Sequence, residues 1–230
     1  MITYEELLQK LFPLADEKYR AFHKKLLKDD AIRVIGIRTP QLRKIAKEYR
    51  GEIDCFLTFP DEYYEVTWLK CAVASLLPYT QFVAVVDHLV GLLDNWATCD
   101  MFAPACINKH RDLFRTCILR YLEDDRVFVR RFALTTLLHF YVIEEELLFV
   151  LSCLREVNTD EYYVSMAAAW LWAGVPVKFY DEGKAFLTEN SLSKETLSRA
   201  VRKACESFRL TDAQKNELRA LIGKNCHKKL

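Results

Sequence analysis

Glycine and proline are scarce, with six of each in 230 residues. An all-β chain of this length needs more tight turns than that allows, so the sparse punctuation favours long helices. Long apolar runs are missing too. None approaches the ~18 residues that span a bilayer, which reads as a protein with no membrane partner. The opening "MITYEELLQK" carries acids where a secretory leader has bases followed by an apolar stretch. Eight cysteines (Cys55, Cys71, Cys99, Cys106, Cys117, Cys153, Cys205 and Cys226) form no CxxC pair. Most sit in apolar helical stretches, where a thiol behaves as a small hydrophobe. A disulfide framework belongs to smaller secreted chains, so the compartment expected is the reducing cytoplasm.

Several chemistries lack their signatures. There is no P-loop, GxGxxG, GxSxG or HExxH. His23, His88, His110, His139 and His227 have no zinc-ligand spacing with one another or with cysteine, so neither a metal nor a cofactor is expected. Net charge is only +1, yet its distribution is uneven. Arg33, Arg38, Arg43, Lys44, Lys47 and Arg50 face one acid, Glu48, and residues 194–209 carry five bases against two acids. Acids gather elsewhere, in "GEID", "PDEYYE" and "IEEE". That asymmetry would give a neutral protein one basic face, although a charge run is also what any solvated helix shows.

Helix signals, by contrast, are dense. Thr3 and Glu6 form a capping box, and Thr211 and Gln214 form another. In "RTPQLRKIAKEYRG" Thr39 reads as an N-cap, Pro40 as the first helical residue and Gly51 as the stop. Further helices are predicted over about 15–28, between Pro60 and Pro78, from Thr80, and over about 95–109, 111–122, 125–141, 144–157, 161–174, 177–188 and 193–208. The tail "GKNCHKKL" reads as a short basic end. More than ten helices on short links mean an all-α fold. We expect an irregular α-solenoid of HEAT-like helical repeats, one domain over residues 1–230, with a concave face suited to an extended ligand.

Within the segment "DNWATCD", Asp100 stands one helical turn after Trp96, beside an apolar stripe of Cys99, Phe102, Ala103, Cys106 and Ile107. Asp94 or Asn95 can cap that helix, and Pro104 perturbs it. The pair reads either as a solvated acid beside a core indole, or as two groups facing something cationic. "VRRFAL" puts Arg130 and Arg131 in the first turns of another helix. "AAAWLWA" surrounds Trp170 and Trp172 with small residues that permit close helix packing.

"GIRTPQLRKIAK", "DNWATCD", "VRRFAL" and "AAAWLWA" occur in the order and spacing of the AlkD-type DNA alkylation repair glycosylases, and the chain resembles that HEAT-like family over nearly its whole length. The resemblance implies a DNA glycosylase that hydrolyses the N-glycosidic bond of cationic N3- or N7-alkylated purines in duplex DNA, without a base-binding pocket. It places the catalytic Trp-x-x-x-Asp on Trp96 and Asp100 and the second catalytic indole on Trp170, leaving Trp172 for the core. The phosphate-gripping arginine falls on Arg131, with Arg130 the other register. Phe22 stands in for an aromatic residue of the family's second helix. Arg38, Thr39, Arg43, Lys44, Lys47, Arg199, Arg202 and Lys203 are the candidates for sequence-independent phosphate contact. A non-catalytic DNA-structure or damage binder and a helical-repeat protein–protein scaffold are the rival readings. A monomer is expected.

Overall fold

In a computed structural model of the chain, residues 2–27, 29–189 and 193–224 are described. Fourteen α-helices and three short 3-10 turns make up the secondary structure of these residues, and no strand occurs among them. The all-α expectation holds. Cys226 and His227, in the basic tail, lie outside the described residues. Helix packing divides the chain into two compact units, Met1–His110 and Arg111–Leu230.

In the first unit, α1 (Tyr4–Leu11) opens on its capping box: Thr3 Oγ1 accepts from the Glu6 N–H at 3.2 Å, and the Glu6 carboxylate accepts from the Thr3 N–H at 2.8 Å. A 3-10 turn, Phe12–Leu14, leads to α2 (Glu17–Leu27). Then α3 (Thr39–Glu48) begins one residue earlier than its sequence suggests. Arg38 is the N-cap, Thr39 and Pro40 are the first two helical residues, and no side chain caps the end. The shift is tolerated because first-turn N–H groups have no intrahelical partner for a proline to remove. The chain leaves α3 through Gly51, whose φ of +97° favours glycine. A short helix that the pattern does not announce, α4 (Ile53–Thr58), has no capping side chain.

The first unit is organised by α5 (Tyr64–Ala74), which packs on α3, α4, α6 (Tyr79–Gly91) and α7 (Trp96–Met101). Every residue of α5 except Ala72 is buried, Glu65 and Lys70 included. Buried charges need partners, and both have them. Lys70 Nζ donates to the Phe59 carbonyl at 2.6 Å and to Asp61 at 2.9 Å. Glu65 accepts three backbone N–H groups, from Ile35 (2.9 Å), Gly36 (2.7 Å) and Ile37 (3.2 Å). Gly36 is fixed there twice over: its φ is +99°, and a Cβ would lie 2.6 Å from the Arg20 Cβ on α2. Glu65 and Gly36 together set the path by which "GIRTP" enters α3.

His23, on α2, is buried against Tyr19 and Tyr64, with ring centroids 5.5 and 4.5 Å away, and its Nε2 has no partner. Burial holds its pKa below the ordinary histidine value. The unfolded chain therefore takes up a proton near pH ~6.5 that the folded chain resists. Stability is full above that pH and falls below it, by at most about 1.4 kcal/mol per pH unit. Denaturant midpoints measured from pH 7.5 to 5 should show this slope in the wild type and its loss in His23→Phe.

The second unit comprises α8 (Arg111–Leu122), α9 (Val127–Phe140), α10 (Leu147–Glu156) after a 3-10 turn, α11 (Tyr162–Lys178), α12 (Tyr180–Glu189), α13 (Lys194–Cys205) and α14 (Asp212–Lys224). Its hub is α11, which packs on α9, α12 and α13. Ala167, Ala168 and Ala169 are buried, and their small side chains let neighbours approach. Rather than stopping near residue 174, α11 runs through Pro176 to Lys178. A proline this close to a helix end forfeits a single hydrogen bond. The Thr211–Gln214 capping box opens α14 as expected. No helix among the described residues is long and apolar enough to cross a membrane.

Candidate active site

Asn95 starts α7: its side chain accepts from the Thr98 N–H at 2.9 Å, so Asn95, not Asp94, is the cap. The helix is short. It ends at Met101, and after Pro104 the chain resumes as a 3-10 turn, Ala105–Lys109, instead of continuing to residue 109 as one helix. Proline has no N–H to give and clashes with the preceding turn, which is why one segment becomes two. Of the predicted apolar stripe, Cys99, Phe102 and Ile107 are buried, whereas Ala103 and Cys106 are half-exposed.

Trp96 is the first residue of α7 and Asp100 lies one turn on, both half-buried. The indole is held in place: Trp96 Nε1 donates to the Leu26 carbonyl at the end of α2, 3.3 Å away. Leu26 and Phe22 stand four apart on α2 and so share a face. Both are exposed, Phe22 at 56%. The ring beside Phe22 is that of Tyr19, with centroids 6.3 Å apart. Asp94 is solvent-accessible yet hemmed in by protein atoms. Desolvation raises its carboxyl pKa, Asp29 and Asp61 raise it further, and a hydrogen bond from Asn95 Nδ2 at 2.6 Å partly offsets them.

In α3, Leu42, Ile45 and Ala46 face inward, leaving Arg43, Lys44 and Lys47 exposed on the outer side. Arg38 differs from them. Its guanidinium bonds Asp16 through Nε (3.2 Å) and Nη2 (2.8 Å) and lies 5.0 Å over the Tyr19 ring. Thr39 is half-buried in the first turn.

The second unit carries the other candidates. Trp170 is half-buried on α11, whereas Trp172 is 1% exposed and packs on Phe186 with centroids 4.4 Å apart. The assignment of Trp172 to the core and Trp170 to the surface is what the helix does. Arg131, on α9, is only 2% exposed. Its Nη1 donates to the Tyr163 carbonyl at 2.7 Å, and its Cζ lies 5.2 Å over the Trp170 ring. Arg130 is half-buried, and its Nε is buried without a partner. Its charge helps Arg126, the main cause, to hold the Asp124 carboxyl down at about 2. From α13, Lys203 Nζ stands 5.7 Å from the Trp170 ring and 2.7 Å from Glu206. Arg199 donates to Ser165 Oγ at 2.9 Å, pairs with Glu195 and lies 5.4 Å over Tyr162. Arg202 is exposed.

Neither unit brings together three or more His, Cys, Asp or Glu side chains able to hold a metal, among the described residues. Glu65 is the residue that sequence reasoning overlooks. Its signal is faint: one acid inside the run "YYEVTWLKCAVA", where a helix has no polar face to put it on.

The described residues are all-α, with Trp96 half-buried in the first unit and Trp170 half-buried beside Arg131 and Lys203 in the second. A family model for DNA alkylation repair enzymes matches residues 6–208, from α1 into the turn after α13, and the chain belongs to that family. No curated protein matches the sequence. Membership gives the chain a role in DNA repair as an enzyme of alkylation damage.

Proposed function

We propose that this protein is a DNA glycosylase that releases cationic N3- or N7-alkylpurines from duplex DNA, using Asp100 with Trp96 and Trp170 and no cofactor. The observation that carries the reading is the single turn of α7 in which an indole tethered to α2 precedes a half-buried carboxylate, in a chain of an alkylation repair family. Alkylation at N3 or N7 leaves the base positively charged. When the C1′–N bond breaks, its electron pair goes to the base, which departs neutral, so no proton need be supplied. Positive charge moves to the sugar, which becomes oxocarbenium-like. One carboxylate suffices for that chemistry: Asp100 stabilises the cation and accepts the proton of the water that adds to C1′. Hydrolysis of ordinary glycosides, with poorer leaving groups, needs a second carboxyl group as acid. Indole faces beside the sugar add about 0.5–2 kcal/mol of cation–π stabilisation each. Arg43, Lys44 and Lys47 on α3 and Arg202 on α13 are exposed cations suited to phosphate contact that carries no sequence information.

The test is release of free base from duplex DNA containing N7-methylguanine by the purified chain, with a chelator present. We expect release at a rate unaffected by the chelator. Salt-sensitive duplex binding with no base released under any condition would establish the non-catalytic binder instead. Absence of DNA affinity at modest salt would favour the protein–protein scaffold.

A further inference from the structure

Helix α7 has six residues, too few to be held by its own hydrogen bonds, so where Trp96 and Asp100 stand depends on how its ends are tied. At its start, Asn95 is 3% exposed and uses both halves of its amide. The oxygen caps the helix by accepting from the Thr98 N–H. The nitrogen donates to Asp94 Oδ1 at 2.6 Å and to Thr98 Oγ1 at 3.2 Å. Thr98 is fully buried, and its hydroxyl hydrogen-bonds Tyr64 at the start of α5, whose ring packs on His23 of α2. One amide thus joins the first turn of α7 to a buried polar chain that ends on another helix. A cap alone asks only for an acceptor, which asparagine, aspartate and serine supply about equally. Asp94 asks for more. An ionised carboxylate accepts but cannot donate, so only the nitrogen side of the amide can face it.

We propose that Asp94 and Asn95 are positioning residues: the Asp94 carboxylate locks the Asn95 amide in the one orientation that both caps α7 and donates to Thr98, and this lock fixes where Trp96 and Asp100 stand. Turned over, the amide would set its nitrogen against the Thr98 N–H and its oxygen against the Asp94 carboxylate. Donor would then face donor and acceptor would face acceptor, and a buried mismatch of either kind is costly. Trp96 follows Asn95 directly in the chain. Its own tether, the 3.3 Å bond from Nε1 to the Leu26 carbonyl, lies beyond the usual range for a hydrogen bond and is weak by itself. Asp100 lies one turn further on, carried by the same short helix. Neither Asp94 nor Asn95 is asked to touch the sugar; both act through α7.

For what Trp96 and Asp100 do, this assignment rests on the glycosylase reading, but one of its measurements does not. Acrylamide quenching of Trp96 fluorescence in the free protein, taken as the difference from the same protein carrying Trp96→Phe, reports the indole's mobility and access without DNA or catalysis. Asn95→Asp separates the lock from the cap. Aspartate caps as well as asparagine, and its charge suits a helix start, so a residue that did no more than cap would tolerate the change. In the lock it sets two carboxylates against each other. We expect quenching to rise and single-turnover release of 7-methylguanine, at saturating protein so that binding is not what is read, to fall between about 10- and 100-fold, the scale of a sub-ångström to ångström misplacement. Asp94→Ala, at an exposed position, should shift both in the same direction, and by less because nothing is repelled. The exchanged pair, Asp94→Asn with Asn95→Asp, again sets one amide nitrogen against one carboxylate. It should regain wild-type quenching and most of the lost rate. An Asn95→Asp protein that matches wild type in quenching and rate overturns the proposal, and so does an exchanged pair no better than Asn95→Asp alone. If Asn95→Asp does not fold, Asp94→Ala decides: wild-type quenching and rate there overturn the proposal, and the expected shifts support it. Failure of the wild type to release any base defeats the glycosylase reading, while the quenching results still decide whether Asp94 and Asn95 hold Trp96 in place.

Discussion

Replacing Glu65 with alanine is expected to lower the stability of the first unit by about 3–5 kcal/mol, the range for breaking a buried, hydrogen-bonded charge network. The reason lies in what remains. Three N–H groups, of Ile35, Gly36 and Ile37, lose the carboxylate that accepts them in a segment where Ile35 and Ile37 are 3% and 1% exposed. A buried unsatisfied donor costs about 1–3 kcal/mol, and all three of these residues are buried. Gly36 cannot relax either, because its positive φ and the Arg20 Cβ confine it. Glu65→Gln should cost less, since one amide oxygen can still accept. Urea denaturation curves of the three proteins measure the ranking. An alanine variant within about 1 kcal/mol of wild type, no worse than an average substitution, would mean that the carboxylate is not what orders the segment.

The second large effect concerns chemistry. Asp100→Asn keeps the size and shape of the side chain and removes its charge. We expect single-turnover release of 7-methylguanine to fall by about 10²–10³-fold, the scale for losing one preorganised electrostatic contact to a transition state. Duplex affinity should be unchanged or slightly improved, because a negative group no longer faces phosphates. That split separates a catalytic carboxylate from one that merely shapes the binding surface. Equal release by the two proteins removes Asp100 from the mechanism.

Much of the fold is legible in the sequence wherever the information is local. Both capping boxes form as the Thr-x-x-Glu and Thr-x-x-Gln patterns require, and Gly51 lies past the end of α3, two residues beyond its Tyr49 cap, in the left-handed conformation. The small residues around Trp170 and Trp172 do not say which ring is buried; the family resemblance assigns Trp172 to the core, and the helix buries Trp172 and leaves Trp170 half-buried. Where the outcome depends on a neighbouring element, the pattern is silent. The two arginines of "VRRFAL" are equivalent until α11 supplies the Tyr163 carbonyl and the Trp170 ring that draw Arg131 inward. The acids of "PDEYYE" look like a solvated run, yet Glu65 turns inward to a loop some thirty residues earlier in the chain. Pro104 shows where a helix is disturbed but not that the chain would re-form as a 3-10 turn. Helix α4 has neither cap nor length to announce it.

In the proposed mechanism a single carboxylate suffices because the departing base carries its own positive charge. The direct test compares single-turnover release of 7-methylguanine and of hypoxanthine from otherwise identical duplexes. Hypoxanthine leaves as an anion unless a proton is given to it, and nothing in the proposed mechanism gives one. Release of 7-methylguanine is expected, and none of hypoxanthine above the uncatalysed background. Comparable release of both bases would contradict it, since a general acid would then be at work.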